Sequence, residues 1–212
     1  MITIAIAKGR MQNDALALLA QAGICLDNEA LTSRCLAVPD EKGEYRVIFV
    51  KPADVPVYVE HGIADCGVVG RDILLESESD LLLPLDLKIA RCRLVVAAAT
   101  TKASAEHRGM LRVATKYPHL TAEYFGARGI PVEIIRLSGS VELAPALGLS
   151  DVIVDLVETG TTLRENGLSV VDTITDSSGR LVVNRASYQL KAISISQLID
   201  ALARTVNGVN PG

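Results

Sequence analysis

Hydrophobic and amphipathic stretches alternate along this chain, and the alternation predicts strands and helices in turn. Residues 2–7, Ile-Thr-Ile-Ala-Ile-Ala, have the apolar, β-branched character of a buried strand. Residues 14–22 place Leu16, Leu19 and Ala20 on one face of a helix, and residues 194–206 predict a longer amphipathic helix. A chain that alternates strands with helices favours an α/β fold with largely parallel sheets.

The remaining predicted elements follow the same rule. Further strands are predicted at residues 36–38, 46–50, 66–69, 94–99, 112–115, 132–137 and 151–155, and further helices at 52–61, 118–127 and 141–147, with a short one opening at 70–72. Residues 168–175 and 181–184 predict a hairpin around the turn 176–179. The character of the sequence changes near residues 87–93 and again near 176–179, which indicates that the chain crosses between two lobes at both places.

The stretch from Asp151 to Glu165 carries the strongest chemical signal. A β-branched run ends in Asp155, at the strand end where α/β folds bind ligands. Gly160 lets the backbone turn and approach a ligand, and Thr162-x-x-Glu165 has the spacing of a capping box. The unpaired N–H groups at the start of the predicted helix suit a phosphate. A carboxylate beside a phosphate nest fits a ribose 5-phosphate, although an ordinary strand-loop-helix connection has the same pattern.

Two other turns carry polar groups at strand ends. Lys8-Gly9-Arg10 places two cations around a glycine, which is suited to phosphates but equally typical of a solvated basic turn. Ser138-Gly139-Ser140 is a candidate anion nest, and Glu142 after it either serves the site or complements the helix dipole.

The sequence lacks the motifs of several enzyme classes. The chain has neither a G-x-S-x-G elbow nor the P-loop spacing, and its three histidines stand outside any catalytic motif. Phosphate binding without an evident base or nucleophile indicates catalysis by positioning and electrostatics.

The composition limits the kinds of partner that the protein can bind and the cellular compartment in which we expect it. The net charge is −4, basic residues are dispersed and aromatics are 3%, so we expect no nucleic-acid binding. No apolar run approaches the ~20 residues of a membrane span, and the N-terminus lacks a signal-peptide pattern. The four cysteines lie far apart without a C-x-x-C pair, which predicts reduced, mostly buried thiols rather than a zinc site. These features predict a soluble cytoplasmic protein.

Taken in order, the motifs resemble those of ATP phosphoribosyltransferase, the enzyme family of the first step of histidine biosynthesis. The matching blocks are Lys8-Gly-Arg10, 54–62, Gly67-Val-Val-Gly70, 112–118, 139–145 and 155–167. They cover nearly the whole chain, and the last block is the most specific.

The resemblance implies an α/β, two-lobed fold of the type II periplasmic-binding-protein kind, with a cleft between the lobes. Lobe I would comprise residues 1–90 with 178–212 returning to it, and lobe II residues 91–177 with the loop that binds phosphoribosyl pyrophosphate (PRPP). The reaction joins N1 of ATP to the anomeric carbon of PRPP and releases pyrophosphate, with Mg²⁺ carried by the substrate.

The resemblance also implies roles for individual residues. Asp155 and Glu142 would be catalytic, facing the ribose hydroxyls or the positive charge that develops on the sugar. The PRPP-binding residues would be Asp155, Glu158, Thr159, Gly160, Thr161 and Thr162. The ATP- or pyrophosphate-binding residues would be Lys8, Gly9, Arg10, Arg34 and Lys51. Lys51 stands where many members have Arg, and Arg71 where we expect Lys, so donor geometry differs at both positions.

The chain resembles the short form of the family, which works with a separate regulatory subunit similar to histidyl-tRNA synthetase. A homodimer or a hetero-octamer is the expected assembly. Two alternatives stay open at this point, because fold does not fix function: a non-catalytic small-ligand-binding module of the same fold, or another phosphoribosyltransferase.

Overall fold

The computed structural model describes residues 1–27, 35–100 and 110–208. The chain divides into two compact units. Unit 1 comprises Met1–Ala90 and Ser178–Gly212, and unit 2 comprises Arg91–Ser177. Each unit is an α/β structure built on one mixed sheet.

The described elements are numbered in chain order. The strands are β1 (Ile2–Ala7), β2 (Ala37–Pro39), β3 (Tyr45–Val50), β4 (Cys66–Gly70), β5 (Leu82–Asp86), β6 (Cys92–Ala99), β7 (Leu111–Thr115), β8 (Val132–Arg136), β9 (Val152–Val157), β10 (Leu168–Ser177) and β11 (Gly179–Val183). The helices are α1 (Gln12–Gln21), α2 (Asp54–Glu60), α3 (Arg71–Ser77), α4 (Pro118–Gly126), α5 (Thr161–Glu165), α6 (Arg185–Leu190) and α7 (Ala192–Val206), with a 3₁₀ turn at Val141–Leu143.

The sheet of unit 1 has the strand order β2-β3-β1-β4-β11-β5. Strands β3, β1 and β4 are parallel, while β2 and β11 run against their neighbours. Every residue of β1 is buried, as expected for a central strand covered on both faces. On one face, Gly67 admits α2 so closely that a Cβ there would lie 2.8 Å from Cγ1 of Val55. Parallel strands bring the turns after β3, β1 and β4 to a single edge of the sheet.

The sheet of unit 2 has the order β10-β6-β9-β7-β8. Strands β9, β7 and β8 are parallel, and β6 and β10 are antiparallel to their neighbours. A buried apolar cluster on one face includes Val95, Ala114, Val141, Ile153 and Leu163. The carboxyl ends of the three parallel strands meet at one edge, where the phosphate-loop candidate begins.

The predicted hairpin around 176–179 is wrong. Strand β10 pairs with β6 in unit 2, whereas β11 pairs with β4 and β5 in unit 1. Ser178 between them is therefore a crossing between units rather than a tight turn.

Five other points of the sequence interpretation need correction. The predicted helix 141–147 is only the 3₁₀ turn Val141–Leu143, and the sheets are mixed rather than largely parallel. The pattern also missed β5, where Pro84 interrupts a leucine run, and α6, which is separated from α7 by Lys191 alone. All four cysteines are free, but Cys25 and Cys35 are exposed, so the thiols are not mostly buried.

Within the described ranges, none of the helices has both the length and the apolar character needed to cross a membrane.

Candidate active site

Asp155 lies within β9, on the face of the unit 2 sheet that carries the apolar cluster. Side chains alternate along a strand, so Asp155 shares its face with Ile153 and Val157, both members of that cluster. Its Oδ1 accepts a hydrogen bond of 2.9 Å from the N–H of Leu156. Burial raises the pKa of the Asp155 carboxyl, and the Leu156 bond only partly offsets that effect. A carboxylate held in this setting has lost solvation that a substrate group could restore.

The residues after β9 form an exposed loop that turns directly into α5. Glu158, Thr159, Thr161 and Thr162 are exposed, and Gly160 adopts a φ of +75°. That left-handed conformation favours glycine, because other L-residues adopt it only with strain.

The backbone donors at the start of α5 face away from the helix body. Among the described residues, no acceptor receives the N–H of Thr162 or of Leu163. The N–H of Thr161 lies 3.5 Å from Thr159 Oγ1. The Arg164 guanidinium donates to Thr159 O at 3.2 Å and to Thr161 Oγ1 at 3.1 Å. The Arg164 guanidinium thus holds the loop 158–162 through two hydrogen bonds, and the N–H groups of Thr162 and Leu163 stay open to an anion.

The predicted capping box is wrong. The helix begins at Thr161, one residue before the predicted cap Thr162, and its N-cap is Gly160 without any side-chain capping bond. A left-handed glycine has replaced a side-chain cap, which leaves the first N–H groups of α5 open.

Three parallel strands bring further groups to the same edge of unit 2. Strand β7 is followed by Lys116, and β8 by the turn that leads to Glu142. The buried Thr115 hydroxyl donates to Val154 O at 2.8 Å and accepts from the N–H of Tyr117 at 2.9 Å, which fixes the end of β7 against β9. The charges of Lys116 and Glu142 both act on Asp155. Asp155 and Glu142, both predicted, therefore lie together.

Lys116 is the charged residue that the sequence interpretation missed. It belongs to the resembling block 112–118 but was given no role there. The available signal was a single lysine directly after a predicted strand and two residues before the helix-starting Pro118.

The predicted cations of unit 1 occupy the equivalent edge of its own sheet. Ala7 and Val50 are register partners in β1 and β3, so Lys8 and Lys51 follow neighbouring parallel strands. The N–H of Lys8 donates to Val50 O at 2.8 Å, and Gly9 turns with a φ of +102° towards the exposed Arg10. Arg71 follows β4 at the same edge. Lys8, Lys51 and Arg71 thus share one edge of unit 1.

The predicted site residues are divided between the units. Asp155, Glu142 and the loop 158–162 belong to unit 2, and Lys8, Gly9, Arg10 and Lys51 belong to unit 1. Arg34 lies outside the described residues. Across the part of the chain that the structure describes, no group of three or more His, Cys, Asp or Glu side chains could hold a metal ion.

Comparison with known proteins gives the family. The pattern of HisG: ATP phosphoribosyltransferase matches residues 51–205. An ATP phosphoribosyltransferase from Caldanaerobacter subterraneus subsp. tengcongensis is 50% identical over 207 residues, which covers 98% of both chains. The chain belongs to the ATP phosphoribosyltransferase family. The resemblance stated from the motifs is confirmed.

Solved structures agree with the predicted fold class. A chain of the ATP phosphoribosyl transferase (HisG:HisZ) complex from Thermotoga maritima matches with a TM-score of 0.86 and 36% identity, over 98% of this chain and 100% of that one. The periplasmic VFT2 domain of BvgS from Bordetella pertussis matches with a TM-score of 0.59 and 15% identity, over 97% and 92%. The latter likeness concerns the fold alone, and it confirms an α/β fold of the periplasmic-binding-protein type for this ATP phosphoribosyltransferase family member.

Proposed function

We propose that this protein joins ATP to PRPP in the first step of histidine biosynthesis. Adenine N1 attacks the anomeric carbon of the ribose, the bond from that carbon to the pyrophosphate oxygen breaks, and pyrophosphate leaves with the electron pair. The observation that carries the proposal is family membership over nearly the whole chain. The open loop beside the partly buried carboxylate of Asp155 in unit 2 supports it, because the two together suit a ribose phosphate.

The loop 158–162 is the proposed holder of the 5-phosphate. Free N–H groups at Thr162 and Leu163 and the hydroxyls of Thr159, Thr161 and Thr162 supply donors. Gly160 keeps the approach open, since it carries no Cβ. Donors fixed before the ligand arrives favour binding, because little ordering is required on association.

Asp155 and Glu142 are the proposed catalytic carboxylates. N1 of adenine already has a lone pair, so the attack requires no strong base. The barrier lies in the positive charge that builds on the sugar as pyrophosphate departs. Two carboxylates at the edge of unit 2 can stabilise that charge and accept bonds from the ribose hydroxyls, and a desolvated charge acts more strongly than one in water.

The cations of unit 1 are the proposed partners of ATP and pyrophosphate. Lys8, Arg10 and Lys51 are exposed side chains at one sheet edge, suited to phosphate oxygens, and Arg34 completes the proposed set. Mg²⁺ enters as part of the substrate, bound to the pyrophosphate oxygens, and neutralises the charge of the leaving group.

The proposal includes a partner and a compartment. The Thermotoga maritima relative was solved as a HisG:HisZ complex. This chain would likewise assemble with a regulatory subunit similar to histidyl-tRNA synthetase, and the proposed assembly is a homodimer or a hetero-octamer. Free thiols at all four cysteines favour the cytoplasm, where thiols stay reduced.

The test is pyrophosphate release from PRPP, measured with and without the regulatory subunit. ATP should support release, while GTP and free purine or pyrimidine bases should not. Chelation of Mg²⁺ should stop the reaction. Release with another base instead of ATP would indicate a different phosphoribosyltransferase, and PRPP binding without any release would indicate a binding module.

A further inference from the structure

Lys116 follows the end of β7 beside the partly buried carboxylate of Asp155. Thr115 of β7 is the register partner of Val154 of β9, and the two strands run parallel. Lys116 is the first residue after β7 and lies in a bend, and Asp155 is the next residue of β9, so both directly follow one register pair. Ala114 and Ile153 are also register partners, and both belong to the buried cluster on one face. Asp155 lies on that face because side chains alternate along β9, whereas the chain leaves the sheet at Lys116.

The position of Lys116 does not depend on its own side-chain contacts. The Thr115 hydroxyl ties the end of β7 to Val154 O, and Leu137 N donates to Thr115 O at 2.9 Å from the other side. Strand β7 is thus held between β9 and β8 at the residue before the lysine. Lys116 itself is exposed, and in the described part of the chain it forms no contact ion pair with Asp155. The charge of Lys116 lowers the pKa of the Asp155 carboxyl, although burial, the largest cause, raises it.

Few other charges surround Asp155. The charged residues on the elements around it, or next to them, are Arg93, Arg112, Lys116, Glu142, Glu158, Arg164 and Glu165, and Arg112 is paired with Asp151. Directly opposite Asp155, β6 presents Val95, and α5 turns Leu163 into the cluster while Arg164 is bonded to the loop. Burial raises the pKa of Asp155 most, and of the nearby charges Lys116 lowers it and Glu142 raises it. Lys116 is therefore the cation that opposes both burial and Glu142.

We infer that Lys116 is a positioning residue for the transfer reaction, and that its ammonium keeps the partly buried Asp155 carboxylate charged when PRPP is bound. The inference rests on the proposed function for its catalytic consequence. The electrostatic coupling between Lys116 and Asp155 does not depend on the proposed function. An exposed lysine suits this role, because its ammonium stays charged at a low desolvation cost, whereas the carboxylate is the group that burial desolvates.

The first test measures the coupling without any activity. Titration of ¹³C-labelled aspartate carboxyls by NMR follows Asp155 in the full-length chain, with Asp155→Asn identifying its signal. Lys116→Met should move the titration of Asp155 to higher pH, and Lys116→Arg should leave it near that of the wild type. Glu142→Gln should move it to lower pH. Lys42→Met removes an exposed lysine of unit 1 and is the matched control, with no expected shift.

The second test measures the consequence, with the regulatory subunit present. In Lys116→Met the acid limb of the kcat profile should move to higher pH, so the defect is largest at low pH and shrinks as pH rises. The loss at neutral pH should be smaller than the roughly 10²–10³-fold expected when a transition-state contact is removed outright. Lys116→Arg should restore the profile.

The outcomes separate the two proposals. An unchanged Asp155 titration in Lys116→Met overturns the inference, whatever the enzyme does. A raised KM for PRPP with an unmoved pH profile also overturns it, and makes Lys116 a substrate-binding residue. A shifted titration in a chain that never releases pyrophosphate from ATP and PRPP supports the coupling and overturns the proposed function instead.

Discussion

Replacing Asp155 with asparagine should slow the enzyme and stabilise the protein, and the opposite signs make the variant diagnostic. The amide has nearly the same shape as the carboxylate, and its oxygen can still accept the bond from Leu156 N. What disappears is the charge. If Asp155 stabilises the developing positive charge on the ribose, turnover should fall by about 10²–10³, which corresponds to about 3–4 kcal/mol of transition-state stabilisation.

The stability change follows from the raised pKa of Asp155, which burial causes. A carboxyl with a higher pKa in the folded than in the unfolded protein binds more protons when folded. The wild type therefore loses stability as pH rises from the unfolded pKa through the folded pKa, and the full penalty remains at neutral pH. A tenfold difference in acid dissociation constant between the two states corresponds to about 1.4 kcal/mol. Asp155→Asn lacks this penalty, so its advantage should be full at pH 7 and vanish at strongly acidic pH.

Two measurements check this prediction. Steady-state kinetics with the regulatory subunit should show kcat falling more than the affinity for PRPP. Urea unfolding between pH 4 and 8 should show the stability gain growing with pH. Asp172→Asn is the control in the same unit: burial affects that exposed carboxyl little, and its bond from Tyr124 lowers its pKa, so this variant should gain no stability and keep its activity. Normal turnover in Asp155→Asn would make Asp155 a structural residue and refute the reasoning.

Three further substitutions test the loop and the core. Gly160→Ala should weaken PRPP binding in calorimetry and add about 1–2 kcal/mol of backbone strain, whereas Gly148→Ala, at a φ of +74°, should add the strain without changing PRPP affinity. Asp65 lies buried and accepts bonds from Lys191, Thr3 and Ser187, which outweigh burial and lower its pKa, so Ser187→Ala should cost about 1.5–3 kcal/mol in urea unfolding at pH 7. Because the pKa of Asp65 is lowered on folding, the stability it contributes should disappear as pH falls through the folded pKa, and a pH-independent loss would contradict this account. Gly67→Ala should cost about 1–3 kcal/mol, since its Cβ would meet Val55 and Val59 of α2; equal thermal stability would show that α2 can shift without penalty.

Local patterns predicted most of the strands and helices, because hydrophobic periodicity acts within a few residues. The predictions fail where pairing with a strand distant in sequence determines the structure. Residues 168–175 and 181–184 read as a hairpin because both are β-prone and flank a turn, yet β10 and β11 pair with strands far away in sequence. Nothing within the turn 176–179 encodes that choice. The short strand β5 is defined by its pairing with β11 rather than by its own pattern.

The start of α5 shows a different limit. Thr162 and Glu165 have the spacing of a capping box, but Gly160, two residues earlier, can adopt a positive φ and end the loop first. A glycine cap and a threonine cap compete for the same helix start, and the spacing alone does not rank them. The consequence matters for function, because the glycine cap leaves N–H groups open that a side-chain cap would occupy.

The predicted site residues stand in sequence motifs, whereas the role inferred for Lys116 depends on strand register. Lys116 and Asp155 are 39 residues apart, and neither belongs to a motif that contains the other. They become neighbours only because β7 and β9 are parallel and Thr115 aligns with Val154. A slip of one residue in that pairing would shift the end of β7 along β9 and move Lys116 away from its place beside Asp155. The Asp155 carboxyl would then keep burial and the charge of Glu142, both of which favour its neutral form. The hydrogen bond from the Thr115 hydroxyl to Val154 O joins these two register partners, so Thr115→Val tests whether the register keeps the Asp155 carboxylate charged. Turnover should fall with a pH-dependent profile like that of Lys116→Met. A pH-independent loss of turnover would mean that the hydroxyl contributes to stability alone.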